Sequence, residues 1–398
     1  MSTPIYITGA GVLSAIGLDK QQTLQSLLDG KSGIGEMHHL ASTLHELPVG
    51  EVAMSNEEMM RLLGVSTNPY WTRSALMGAV ALREALAQAR LDSDDLTQAA
   101  FVSATTVGGM DRRELVHLQP DVDDQERALL ETYSCGSCTE MIADYAGRFA
   151  SLSTLSTACS SAANALILAA NLLKTGEADI VVAGGTEALT RFHLNGFHSL
   201  MILDHDRCRP FDAGRAGLNL GEGAAYVVLE SAASVARRAV TPLASLTGYG
   251  NACDAFHQTA SSDNGEGAYR AMMEALTMAG LKPSDIDYVN AHGTGTPNND
   301  ASESVALQRV YGQQMPPVSS TKSMTGHTTS ASGSIETVIC LLAMQHGIIP
   351  ANVGWQHPME DGIKPTMGAS GQQLRHVMCN AFGFGGNDSS LIFSRVER

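Results

Sequence analysis

Ile7-Thr8-Gly9-Ala10-Gly11, near the start of the chain, has a counterpart in Leu246-Thr247-Gly248-Tyr249-Gly250. Two more pairs follow in the same order. Val102-Ser103-Ala104-Thr105-Thr106 resembles Asn290-Ala291-His292-Gly293-Thr294, each a strand end running into a Thr/Gly loop. Val182-Ala183-Gly184-Gly185 resembles Phe382-Gly383-Phe384-Gly385-Gly386. The order is shared but the spacing is not, which places the larger insertions in the first half. A repeat this long marks a duplicated domain and not a solenoid unit. The division predicts one half at 1–240 and a second at 241–398.

Around these motifs, strand-like runs alternate with helix-like runs, the pattern of an α/β architecture. Residues 5–8, 100–103, 179–183, 225–229, 287–290 and 376–380 read as strands. Several are nearly continuous apolar runs, as strands buried on both faces are. Residues 75–89 and 269–279 read as amphipathic helices. At 398 residues the chain can bury a core without disulfide or metal staples. Its 25 basic and 41 acidic residues leave a net charge of −16, a poor footprint for nonspecific nucleic-acid binding. The start lacks the basic segment of a signal peptide. The most apolar stretches, 162–173 and 338–344, fall short of the ~20 residues that span a bilayer. Seven cysteines without framework spacing suggest reduced thiols in a cytosol.

Cys159, in Ser156-Thr157-Ala158-Cys159-Ser160-Ser161, is the sharpest chemical candidate. Ala162, Ala163, Leu166, Ile167, Ala170 and Leu173 follow at helical spacing, and Gly176 ends the run. The cysteine therefore sits at a helix start, where free N–H groups favour a thiolate. His292 and His327 lie in glycine-rich loops, His292 just past a buried-looking strand, where ligand sites of α/β sheets fall. His38, His39, His45 and His117 carry no such context. Lys322 precedes His327 by one loop, and Glu336 lies on the apolar helix after it; a buried glutamate needs a partner, and Lys322 is a natural one. Gly383-Phe384-Gly385-Gly386 suits a cage of donors for an oxyanion better than a dinucleotide site. Cys135-Gly136-Ser137-Cys138 is a lone C-x-x-C without the second pair of a zinc ribbon.

The cysteine motif, the two histidine loops and the terminal Phe-Gly-Phe-Gly-Gly together resemble the β-ketoacyl-[acyl-carrier-protein] synthases over essentially the whole chain. Thr186-Glu187, Arg209-Pro210-Phe211-Asp212 and Gly221-Glu222-Gly223-Ala224 are similar to family signatures as well. The resemblance implies the thiolase fold, two βαβαβαββ halves in five αβαβα layers. It implies decarboxylative condensation of an acyl group on Cys159 with malonyl-acyl carrier protein. His292 and His327 would stabilise the enolate, and the N–H groups of Cys159 and Phe384 the tetrahedral oxyanion. Lys322 and Glu336 would orient His327. Thr294 and Thr296 match positions that bind the phosphopantetheine arm, and Val107 one beside the acyl pocket. No resident cofactor or metal is implied, since the phosphopantetheine arrives on the carrier protein.

Two departures from the family pattern, at 330 and at 387–388, point away from housekeeping fatty-acid synthesis, and a third, at 156, points to a stand-alone bacterial enzyme rather than a modular one. Ser156 replaces the Asp of modular polyketide enzymes, Ser330 a usual Gly, and Asn387-Asp388 the usual Thr-Asn. The departures at 330 and 387–388 leave room for a specialised route such as polyene lipids. The rival readings are a thiolase, a synthase of the Cys-His-Asn branch, a non-catalytic chain-length factor and a thiol-metal module on Cys135, Cys138 and the histidines. His327 and the terminal glycine motif argue against the first two, and Cys159 against the third. The family pairs two-fold, so a homodimer or a heterodimer with a chain-length-factor-like paralogue is expected, with residues 133–141 near the axis. Arg61, Arg73, Arg207 and Arg209 are the candidate basic rim for an acidic carrier protein, Arg209 being alternatively a partner of Asp212.

Overall fold

The computed structural model describes residues 4–114, 116 and 124–397; His117 lies outside them. Ten strands form one mixed sheet. The first five are β1 (Ile5–Ser14), β2 (Ala100–Ala104), β3 (Ser151–Leu155), β4 (Ile180–Glu187) and β5 (Gly223–Ser231). The second five are β6 (Ala244–Cys253), β7 (Tyr288–Asn290), β8 (Val318–Ser319), β9 (His376–Gly383) and β10 (Asn387–Ser394). Their order is β8-β7-β9-β10-β6-β1-β5-β4-β2-β3. Each half thus runs first strand, fifth, fourth, second, third. In each, the first two of these pairings are antiparallel and the last two parallel. The halves join where β1 meets β6, through Tyr6 opposite Ser245 and Ile7 opposite Ala244. The three motif pairs read from the sequence fall on β1 and β6, on β2 and β7 with the loops that follow, and on β4 and the end of β9.

The glycines of the first motif pair have a packing reason. Helix α1 (Arg73–Ala89) lies on β1 so closely that a Cβ on Gly9 would stand 2.3 Å from the Ala85 carbonyl, and one on Gly11 2.0 Å from that of Ala81. Gly248 and Gly250 meet Ala275 and Ala271 of another helix, residues 266–279, in the same way, each at 2.2 Å. Backbone atoms cannot step aside as a flexible side chain can. Gly11→Ala and Gly250→Ala are therefore each expected to lower stability by about 1–3 kcal/mol or more. Urea unfolding checks this, and a loss below a few tenths of a kcal/mol would contradict it.

Five layers result. Outside the first half, Leu76, Met77 and Val80 of α1 pack on Phe101, Val182, Tyr226 and Val228. Between the halves lie α2 (Ser161–Thr175) and, from the second half, residues 332–346. Leu166, Ala169, Ile335 and Val338 of these two helices meet Val102 and Val227 on one side, Val377 and Leu391 on the other. Such a position buries a helix all round, which is why 332–344 is buried at every residue. On the far side, α3 (Glu266–Ala279) and α4 (Pro297–Tyr311) cover Val289, Met378 and Ile392 with Met272, Leu276 and Leu307. The inner helix 332–346 is α5 below. At one end of the sheet, β3 shows Ser151 and Leu152 to solvent, and no strand among the described residues pairs with its outer edge. No helix among the described residues is long and apolar enough to cross a membrane.

Candidate active site

Cys159 stands in the sharp turn between β3 and α2. The helix begins at Ser161 with Ser160 at its cap, so the cysteine lies just before the helix and not in its first turn. Ala158 takes a left-handed φ of 51°. For a residue with a Cβ this is strained, and it persists only where neighbours hold it. They do: Ser161 Oγ donates to the Ala158 carbonyl at 2.6 Å and accepts from Thr157 N–H at 2.8 Å. Ser160 Oγ lies 2.8 Å from the Thr157 carbonyl and 2.7 Å from Asn387 Oδ1, two acceptors between which its one proton is shared. Asn387, one of the departures, thus braces the turn without touching Cys159.

The thiol is 5% exposed, and His327 Nε2 lies 3.0 Å from its sulfur. The ring of His292 meets that of His327 edge-on, with centroids 5.4 Å apart. Burial pushes the Cys159 thiol up to about 11, against the Lys322 charge and the N–H groups of Phe384 and Cys159 itself. The helix start therefore does not make the resting cysteine a thiolate; desolvation outweighs it. Burial and the nearby Lys322 hold both histidines well below the usual imidazole range, so both are neutral at pH 7. Since the thiolate dominates only above the thiol's pKa, alkylation of Cys159 by iodoacetamide is expected to rise about tenfold per pH unit from 7 to 10. A plateau below pH 8 would contradict it.

His327 Nδ1 shares a hydrogen bond with Ser332 Oγ at 3.2 Å, and Ser332 Oγ also meets Thr328 Oγ1. Lys322 does not reach the His327 ring. Its Nζ donates to the His292 carbonyl at 2.6 Å and pairs with Glu336, both side chains buried. The side chains of Lys322 and Glu336, expected to orient His327, meet the His292 backbone, while Ser332 meets the His327 ring and the Lys322 carbonyl accepts the N–H of Gly326 just before it. Burial raises Glu336, and Lys322 opposes that rise. Lys322→Ala leaves a buried carboxylate unpaired, which costs about 3–5 kcal/mol. Urea unfolding of that variant checks it, and unchanged stability would contradict the pairing. Glu303 of α4, which sequence reading missed, accepts the N–H groups of His292 at 2.9 Å and Gly293 at 2.7 Å. Its carboxyl is pushed by burial up to about 7.

Cys159, His292 and His327 share a cavity of about 390 Å³. Thr294, Thr296 and Asn298 give one side a polar wall, the two threonine hydroxyls being 2.9 Å apart. Phe197, Leu200, Met201, Ile202 and Leu218 give another side an apolar wall, and Phe382 to Gly386 close it near Cys159. Val107 is not brought to this cavity; it is buried, and its N–H donates to Glu187 at 2.8 Å. Arg73 is also not at a rim. It is 7% exposed, with Nε 3.0 and 2.9 Å from the two Glu222 oxygens and its other nitrogens on Met54, Val52 and Asn56. Arg61 and Arg207 are exposed, while Arg209 donates to the Gly214 carbonyl.

Residues 2–234 match the beta-ketoacyl synthase N-terminal domain, and residues 243–356 the beta-ketoacyl synthase C-terminal domain. Nodulation protein E of Rhizobium meliloti (strain 1021) is 34% identical over 413 residues, spanning all of both chains. The 3-oxoacyl-[acyl-carrier-protein] synthase 2 of Staphylococcus aureus (strain N315) is 32% identical, covering 99% of this chain and 98% of that one. Among solved structures, the ishigamide ketosynthase/chain length factor superposes with a TM-score of 0.92 at 30% identity over all of both chains. A ketosynthase in complex with its chain length factor from Xenorhabdus doucetiae gives 0.83 at 30% identity, covering 99% of this chain and 98% of that one. The chain belongs to the β-ketoacyl synthase family of the thiolase superfamily. It is a 3-oxoacyl-[acyl-carrier-protein] synthase, an acyltransferase that forms carbon–carbon bonds by Claisen-type condensation in fatty-acid or polyketide chain elongation.

Proposed function

We propose that Cys159 carries the acyl chain and that His292 and His327 drive the decarboxylation that supplies its attacking carbon. The observation that carries this reading is the 3.0 Å contact of Cys159 Sγ with a neutral His327 Nε2, with the His292 ring beside it. In the first step the sulfur attacks the acyl-carrier thioester. His327 Nε2 takes the thiol proton, and the departing carrier thiol receives it. The N–H groups of Cys159 and Phe384 hold the tetrahedral oxyanion. In the second step malonyl-carrier protein binds with its thioester oxygen facing the two imidazoles. Loss of CO₂ leaves the bond's electron pair as an enolate, stabilised by N–H donation from His292 and His327. Its carbon attacks acyl-Cys159, and collapse expels the Cys159 thiolate, which takes up one proton from solvent water; that proton balances the negative charge the malonyl carboxylate brought.

His327 serves the two steps in two tautomers. Ser332 permits this because a hydroxyl turns to accept from Nδ1–H or to donate to bare Nδ1. Lys322 and Glu336 fix the His292 loop by the contacts described above. Thr294 and Thr296 hold the phosphopantetheine arm at the polar wall, and the acyl chain lies along the apolar one; Val107 lies beyond that wall.

The two halves, 1–240 and 241–398, act as one catalytic unit, and that unit is one member of a two-fold pair. The outer edge of β3, with which no described strand pairs, is the surface to be covered. The likeness to solved ketosynthase–chain length factor pairs supports a heterodimer in a polyketide or polyene route. An active, stable monomer in sedimentation would contradict pairing. Incubation with acyl- and malonyl-carrier proteins tests the chemistry. It is expected to release one CO₂ per 3-oxoacyl-carrier product, and CO₂ release without product in the intact enzyme would contradict it.

A further inference from the structure

His193 is a half-buried titratable group that the chemistry above does not use. It lies on the helix Arg191–Ser199 behind Phe197, and it does not line the cavity. Its ring meets Phe197 edge-on, centroids 5.9 Å apart, and Phe197 stacks on Phe384 at 5.8 Å. A row of rings therefore leads from His193 to the residue beside Cys159.

The far side of His193 is pinned. Thr106 Oγ1 spends its proton on Glu187 Oε2 at 2.9 Å, so it can only accept from His193 Nε2, 3.4 Å away. Glu187 is fully buried at the end of β4 and also accepts the N–H groups of Thr106, Val107 and Ser330. The imidazole is thus tied through one hydroxyl to a rigid point of the sheet. Burial lowers its proton affinity although Glu187 and Glu114 are near, so it remains a neutral donor.

We propose that His193 determines acyl-chain selectivity: pinned on Thr106, it stops Phe197 from turning away from Phe384, and so closes the apolar end of the cavity to long chains. This rests on Cys159 being the acyl carrier. A chain that outgrows the apolar wall meets Phe197, and the His193 ring, edge-on against Phe197 and held by Thr106, stands in the way of its turning aside.

The test compares butyryl- and dodecanoyl-carrier proteins as donors, reading kcat/KM for acylation of Cys159 by mass spectrometry. His193→Ala is expected to raise the dodecanoyl-to-butyryl ratio at least tenfold. Thr106→Val should shift it in the same direction, and Thr106→Ser, which restores the acceptor, should return it to within twofold of wild type. The ratio is taken within one variant, so a loss of folded enzyme cancels. An unchanged ratio in His193→Ala, or equal ratios for Thr106→Val and Thr106→Ser, would overturn the proposal. Absence of acyl-Cys159 in the wild-type enzyme with both donors would instead overturn the reading on which it rests.

Discussion

Cys159→Ala is expected to abolish acyl transfer and condensation while leaving malonyl-carrier decarboxylation measurable. The turn between β3 and α2 presents one thiol to the cavity, and no other cysteine lines it. The donors to the enolate, His292 and His327, sit on loops of the second half, held by Glu303, Lys322 and Ser332. None of these contacts passes through the sulfur. Removing the thiol therefore removes the acyl acceptor and spares the enolate site. Cys159→Gln places an amide where the acyl thioester would lie and should raise decarboxylation above that of the alanine variant. Radiolabel transfer and CO₂ release, measured on the same preparation, check the pair. Loss of both activities in a folded Cys159→Ala would contradict the division.

His327→Ala should show the opposite bias. Removing one donor to a developing oxyanion typically costs about 10²–10³ in rate. Decarboxylation should fall by that factor. Acylation should fall less steeply, because the N–H groups of Cys159 and Phe384 still face the tetrahedral centre and a thiol retains some reactivity without its base. Ser332→Ala should reproduce part of the decarboxylation loss with Cys159 alkylation little changed, since it removes the group that meets Nδ1. Equal losses in both half-reactions of His327→Ala would remove the histidine from its specific place in the second step.

The fold was legible because its signal is local and repeated. Gly9 and Gly11, like Gly248 and Gly250, are needed where a helix lies on a strand's backbone, and that need leaves the same spacing twice. Cys159, His292 and His327 were legible because each stands in a loop of small residues at a strand or helix end. What was missed depends on contacts distant in sequence or on weak local pattern. Four strands were missed: β8 has two residues, β3, Ser-Leu-Ser-Thr-Leu, is an edge strand without a clear apolar face, and the glycines of β6 and the Asn-Asp-Ser-Ser start of β10 dilute their apolar patterns. Arg73 reads as a surface charge until Glu222, 149 residues away, is seen to bury it. Glu303 and Ser332 look like ordinary helix residues, and only the folded loops put them on His292 and His327. The helix-start argument for a Cys159 thiolate named a real effect and lost to desolvation, which sequence cannot weigh.

Arg73 also shows why position outranks residue type at the docking rim. With Arg73 buried, Arg61 and Arg207 remain the exposed candidates to meet an acidic carrier protein against a net charge of −16. Charge reversal at Arg207 is expected to raise the carrier KM several-fold at low salt and much less at physiological salt. A salt-independent KM would contradict an electrostatic encounter.

The central claim is that the acyl chain passes through Cys159. Peptide-mapped mass spectrometry after exposure to acyl-carrier protein tests it most directly. Cys253 is exposed and Cys135 half-buried, whereas Cys159 is buried, so chance thioester exchange would favour the first two. The account predicts the acyl mass on the peptide holding Cys159, removed when malonyl-carrier protein is added. An adduct on Cys135 or Cys253 with Cys159 unmodified, or an acyl-Cys159 that malonyl-carrier protein does not discharge, would contradict it.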